Sequence, residues 1–183
     1  MTGIFHTEQE AAYMRAYNVA CFGGKKVLEL CCGPSLPLLE AAYGYQNIEV
    51  TGNDIDPGYA ERYPAGKWSI GDCLTDSWTL YLPFDTIVFK PPTKGGTISI
   101  DDINPSYEKF IDAINLKDKL GVCVFAPNIL DTRESRKQMY KFLSFCQDKY
   151  WLKDYEFLPS KAGSRKPIKY WELYLDFRPK PRF

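Results

Sequence analysis

The sequence predicts an α/β fold: a doubly wound, seven-stranded, mostly parallel sheet with an antiparallel C-terminal hairpin. Three observations carry this reading. Short apolar runs at 26–32, 47–54, 68–72, 84–89 and 121–125 alternate with segments of helical period. Two further strand-like runs, 151–158 and 169–177, have no helix between them. In the last run Trp171, Leu173, Leu175 and Phe177 alternate with Tyr170, Glu172, Tyr174 and Asp176, a period of two that suits an antiparallel strand with unlike faces.

The elements follow in order. Thr7 and Glu10 stand at capping-box spacing and open a helix that runs to about Phe22, where Gly23-Gly24 stops it. Residues 26–32 (KVLELCC) form the first buried strand. Ser35 is placed to cap a helix over 36–43, with Pro37 in the first turn, where a missing N–H costs little. Residues 47–54 are the second strand, and Pro57 opens a short helix ending near Tyr63-Pro64. Residues 68–72 are the third strand. Residues 84–89 are the fourth, ended by Pro91-Pro92. A loop over 93–105, hinged at Gly95-Gly96, leads to a helix over 105–116, and 121–125 is the fifth strand. Asp131 and Glu134 repeat the capping-box spacing before a helix reaching about Tyr150. Its Met139, Phe142, Leu143, Cys146 and Tyr150 share one face.

Composition bounds the function. The 183 residues fit a single domain spanning 1–183, and 45% apolar with 25% charged residues is a globular balance. Lys+Arg and Asp+Glu are both 23, which excludes a generally basic nucleic-acid coat but not a local patch. No apolar run is long enough to cross a membrane. Residues 1–10 lack a basic stretch followed by an apolar one, so no signal peptide is expected, and the expected location is the cytoplasm. The six cysteines contain no Cys-x-x-Cys pair, and His6 is far from them in sequence. No metal site is expected, and the thiols are read as reduced. Cys31, Cys73 and Cys123 fall in or beside apolar runs, where cysteine is usually a small core residue.

Ligands of such sheets bind beyond the carboxyl ends of the strands. The segments after residues 31, 53, 72, 89 and 126 are therefore the places to look. The first holds Glu29, an acid at a strand end, followed by Cys31, Cys32, Gly33, Pro34 and Ser35. Gly33 lets the backbone approach a ligand, and the helix behind it offers free N–H groups. Asp54 ends the second strand about 25 residues after Glu29, placed to accept both hydroxyls of a ribose. Asp72 and Cys73 follow the third strand, and Lys90, Pro91, Pro92 and Thr93 the fourth. A Gly-x-Gly-x-x-Gly run, expected of a nicotinamide-binding fold, is absent.

With these landmarks in order, the chain resembles the class I S-adenosylmethionine-dependent methyltransferases over nearly its whole length. The resemblance implies a Rossmann-like fold with S-adenosylmethionine as cofactor. In that family an acid-x-Gly-x-Gly-x-Gly turn surrounds the methionine part of the cofactor. Glu29 and Gly33 match the acid and the middle glycine, while Cys31 and Ser35 replace the outer ones. Asp54 matches the ribose-binding acid. Asp72 matches the acid at the adenine amino group, with Cys73 beside it supplying backbone. Lys90-Pro91-Pro92-Thr93 stands where many amino-group methyltransferases carry Asp/Asn-Pro-Pro-aromatic. Lys replaces the acid or amide and Thr the aromatic, so the prolines keep the turn without that chemistry.

A lysine beside a sulfonium is pushed towards the neutral amine by like charge and desolvation. Lys90 is therefore a candidate general base, or else a charged anchor for an anionic substrate group. Lys161, Arg165, Lys166 and Lys169 form a basic cluster at the turn between the last two strands, suited to a phosphate or carboxylate. The expected activity is methyl transfer to a small molecule or nucleic acid. Two alternatives stand beside it: a non-catalytic cofactor-binding partner subunit, and a nucleic-acid-binding module using the basic hairpin.

Overall fold

The computed structural model describes the backbone of residues 8–73, 84–89, 122–125, 128–130, 150–159 and 168–179, and helical positions 133, 137, 140, 141 and 144. Side chains are described for 9–73, 84–89 and those five positions. The expected helix over 105–116 and the loop over 93–105 lie outside these residues.

The elements are α1 (Glu8–Cys21), β1 (Lys26–Leu30), α2 (Leu36–Tyr45), β2 (Glu49–Asp54), α3 (Pro57–Arg62), β3 (Trp68–Ile70), β4 (Thr86–Phe89), β5 (Val122–Phe125), β6 (Asn128–Leu130), β7 (Tyr150–Pro159) and β8 (Ile168–Pro179). A parallel sheet forms the centre, in the order β3-β2-β1-β4-β5. Val27, Leu28, Glu29 and Leu30 of β1 are all buried, as are all of β4 and Val50 to Asn53 of β2. That unbroken burial is what a parallel strand covered on both faces requires. Successive strands step outwards from β1 to β3, then jump to the other side of β1 for β4. The topological switch point therefore lies beside β1.

β8 runs antiparallel to both β5 and β7. The sequence reading gives seven strands, whereas the described residues give eight. The extra one is β6, which continues β5 along β8 in one register: Phe125 faces Leu173 and Asn128 faces Tyr170.

Helices α1 and α2 pack on the sheet through Ala12, Ala16 and Val19 against Leu39, Ala42 and Tyr43, with Val27, Ile48, Val50 and Val88 beneath. Gly23 stops α1 as expected. It takes φ +85, while its N–H bonds Ala20 O and the Gly24 N–H bonds Val19 O, a Schellman closure. Asn47 does the same for α2. It was expected to start the second strand, but it takes φ +57 and its N–H bonds Gly44 O, while the Ile48 N–H bonds Tyr43 O. Asparagine tolerates this left-handed geometry, so the strand starts at Glu49. Ser35 precedes α2 in right-handed helical geometry and makes no side-chain cap bond, because a 3₁₀ turn over Gly33–Ser35 already leads into the helix. Asp56 does cap α3, accepting from the Gly58 N–H at 2.9 Å.

Gly24 marks how closely α1 turns onto the sheet. A Cβ there would collide with Val19 Cγ1 and lie 2.8 Å from Thr86 Oγ1. Gly24→Ala is expected to lower stability by about 1–3 kcal/mol, read as a reduced midpoint in chemical denaturation. An unchanged midpoint would show that α1 is not held this tightly.

Candidate functional site

The carboxyl ends of β1, β2 and β3 are neighbours in the sheet. They bring together most of the residues singled out from the sequence. β1 ends at Leu30 because Cys31 turns into the left-handed region, φ +57, followed by Gly33 at φ +55. Cys31 thus holds the conformation that a glycine would take freely, at a cost of about 1–2 kcal/mol.

Asp54 ties this turn to the next strand. Its Oδ2 accepts from the Gly33 N–H at 2.9 Å and its Oδ1 from the Asp56 N–H at 3.1 Å. Its backbone carbonyl accepts from the Gly71 N–H at 2.9 Å, which links the third loop as well. Each carboxylate oxygen keeps a further acceptor direction for a ligand hydroxyl. Asp72 is half-buried at the same edge, and Cys73 beside it is buried. The Cys31 thiol donates to Cys73 Sγ at 3.2 Å across the end of β2. That bond first, and burial second, push the Cys31 thiol far above its usual range. Burial, with the charges of Glu29 and Asp54, pushes the Cys32 thiol the same way. Neither is set up as a thiolate.

Glu29 is held from behind this edge. It is 1% exposed, and its Oε1 accepts from Tyr43 Oη at 2.7 Å and from Arg15 Nη1 at 3.4 Å. Nothing in the sequence marks Arg15 as a partner, because it comes from α1 and meets Glu29 only in the fold. Three more residues escaped the sequence reading. Asn53 is fully buried, and its Nδ2 donates to Ser69 O and Gly71 O at 3.0 and 3.3 Å, fastening β2 to the start of the third loop. Its Oδ1 is buried without a hydrogen-bond partner among the described residues. Ile55 is 69% exposed directly after Asp54, an apolar surface beside the acid. Tyr59 of α3 borders the first turn, since a methyl on Gly33 would lie 4.0 Å from its Cζ. The first lies inside the unbroken buried run of β2, and the other two sit in loop and short-helix positions with no periodic signal.

Lys90, Pro91, Pro92 and Thr93 lie outside the described residues, as do Lys161, Arg165 and Lys166. On α1, Tyr13 packs edge-on against Tyr45 at 6.1 Å, and Tyr17 is exposed. Among the described residues no group of His, Cys, Asp and Glu is arranged to hold a metal, and no helix is long and apolar enough to cross a membrane.

No family model matches the sequence, and none of the curated proteins does. Solved structures match the fold. One is the human methyltransferase 10 domain containing protein, at 17% identity over 96% of this chain and 84% of that one, TM-score 0.59. A second is the N-methyltransferase NodS from Bradyrhizobium japonicum, at 12% identity over 92% and 96%, TM-score 0.56. A third is the tRNA (uracil-54, C5)-methyltransferase of Pyrococcus abyssi in complex with S-adenosyl-L-homocysteine, at 14% identity over 95% of this chain and 40% of that one, TM-score 0.57. The expected resemblance to class I S-adenosylmethionine-dependent methyltransferases is therefore present in the fold.

The buried Arg15–Glu29–Tyr43 group makes a sharp test of how the site is supported. Arg15→Met leaves a buried carboxylate without its ion-pair partner and is expected to cost about 3 kcal/mol. Adding Glu29→Gln removes the charge and is expected to recover part of that loss in the same denaturation measurement. Equal stability of Arg15→Met and the unsubstituted protein would exclude the pair as a support.

Proposed function

We propose that the chain binds S-adenosylmethionine at the carboxyl edge of β1, β2 and β3 and transfers its methyl group to an acceptor. The observation that carries this reading is the joining of Gly33 to Asp54 by a 2.9 Å bond, with Asp72 at the same edge. The donor set fits the ligand. Asp54 offers acceptors for the ribose hydroxyls and Asp72 an acceptor for the adenine amino group, with Cys73 backbone beside it. Ile55 offers an apolar face to the base, and Gly33 and Cys31 border the methionine part. The acidic edge also suits a ligand bearing a sulfonium and an ammonium. Glu29 serves the site as a positioning residue, since the Oε1 atom is already held by Tyr43 and Arg15.

When bound, S-adenosylmethionine supplies an electrophilic methyl carbon. The protein's part is to align acceptor and methyl and exclude water. Lys90, Pro91, Pro92 and Thr93 follow β4, whose Phe89 pairs with Leu30 of β1. We assign this segment to the acceptor side, with Lys90 either as the base that removes the acceptor's proton or as an anchor for an anionic group. The frame is proposed as a single doubly wound domain with seven main strands and the β7–β8 hairpin at its end. Its acceptor is a small molecule or a nucleic acid, and the dithiol at the site suits a reducing, cytoplasmic setting. The solved matches that act on tRNA or carry out N-methylation support methyl transfer without choosing the acceptor.

A second reading, a cofactor-binding partner subunit without catalysis, is favoured by the Lys and Thr of the tetrapeptide and by a side chain at Cys31. A third reading, nucleic-acid binding through the basic hairpin, would show as cofactor-independent RNA binding that weakens steeply with salt.

Calorimetry with S-adenosylmethionine and S-adenosylhomocysteine tests the first reading. Binding is expected, and Asp54→Ala is expected to weaken it by about tenfold or more, the scale of a lost hydrogen bond to a charged group. No binding to either ligand by folded protein would overturn the assignment. With an acceptor that supports turnover, Lys90→Met is expected to lower kcat/KM by roughly a hundredfold if Lys90 is the base. An unchanged kcat/KM would remove Lys90 from the mechanism and strengthen the partner-subunit reading.

A further inference from the structure

Cys31 and Cys73 lie 42 residues apart in sequence, yet their sulfurs are 3.2 Å apart. β2 lies between β1 and β3, so the contact spans the end of β2. Cys31 keeps a side chain at φ +57, where glycine would be free of strain. Its sulfur meets another sulfur there. A disulfide needs an S–S separation of about 2.0 Å, so a closure of about 1 Å would make the bond. Cys31 is part-exposed and Cys73 is 6% exposed, so a small oxidant reaches the pair from the Cys31 side.

We propose that Cys31 and Cys73 are an oxidation site: a peroxide converts the dithiol to a disulfide that staples the β1 turn to the β3 loop and closes the edge to an adenosyl ligand. The closure rests on the cofactor reading above; the bond itself does not. The chemistry balances with hydrogen peroxide as oxidant. One sulfur attacks a peroxide oxygen, the O–O bond breaks, and a sulfenic acid and water result. The second sulfur displaces the sulfenic hydroxyl, which leaves with the thiol proton as a second water. A thiol reductant reverses the bond by exchange. Because Cys31 holds its proton tightly, the dithiol reacts more slowly than a free, exposed thiol.

The test uses the full chain, reduced and then treated with hydrogen peroxide. Free thiols are alkylated, and peptides are mapped by mass spectrometry without reduction. The expected product joins the Cys31 and Cys73 peptides, disappears with dithiothreitol, and is absent from Cys31→Ser. Cys21→Ser is expected to keep it. Failure of the cross-link, or pairing of Cys31 with Cys32 instead, overturns the proposal. Calorimetry with S-adenosylhomocysteine on the two redox forms tests the closure. Oxidation is expected to weaken binding by roughly tenfold or more, with recovery on reduction. Equal affinity of cross-linked and reduced protein overturns the closure. If the reduced protein binds nothing, the cofactor reading fails and takes the closure with it, while the peptide map still decides the cross-link.

Discussion

A single buried carboxylate organises the described part of this molecule. Glu29 lies on the central strand of the sheet and is almost wholly removed from water. A charge in that position is tolerable only if donors reach it. Tyr43 reaches it from α2 and Arg15 from α1. Satisfying one acid therefore fixes two helices against one strand. The small residues Ala12 and Ala16 then let α1 lie close enough for its arginine to arrive. The apolar core and the buried ion pair are parts of one arrangement.

The edge above that group repeats the device with Asp54. Its two oxygens hold the N–H groups of Gly33 and Asp56, and its carbonyl holds that of Gly71. One residue at a strand end thereby sets the spacing of three loops. Asn53, one position earlier, fastens the third loop from inside the sheet. A ligand meeting this edge meets acceptors already held in place, which lowers the ordering cost of binding. The same fixing brings the sulfurs of Cys31 and Cys73 into contact.

Much of this was legible residue by residue. The Gly23-Gly24 stop, Pro57 at the start of α3 and the buried runs of β1, β2 and β4 all carry local signals that the fold does not override. The failures were also local in kind. Asn47 reads as a strand residue by hydrophobic pattern, but its tolerance of the left-handed region lets it close α2. Ser35 has the chemistry of a cap, but the 3₁₀ turn before α2 removes the need for one. Residues 128–130 form a further short strand in the register of β5 along β8, and the apolar run at 121–125 gives no sign of it.

The sequence by itself determined the α/β alternation, the strand ends where function gathers, and the acids and glycine that stand there. Those features depend on residue type and on spacing along the chain, and both can be read in one dimension. Only the tertiary structure decided that Arg15 and Tyr43 reach Glu29, that Asp54 grips the Gly33 N–H, and that Cys31 faces Cys73. These pairings span 14, 21 and 42 residues. No periodicity encodes such contacts, because they exist only once parallel strands have set which loops are neighbours.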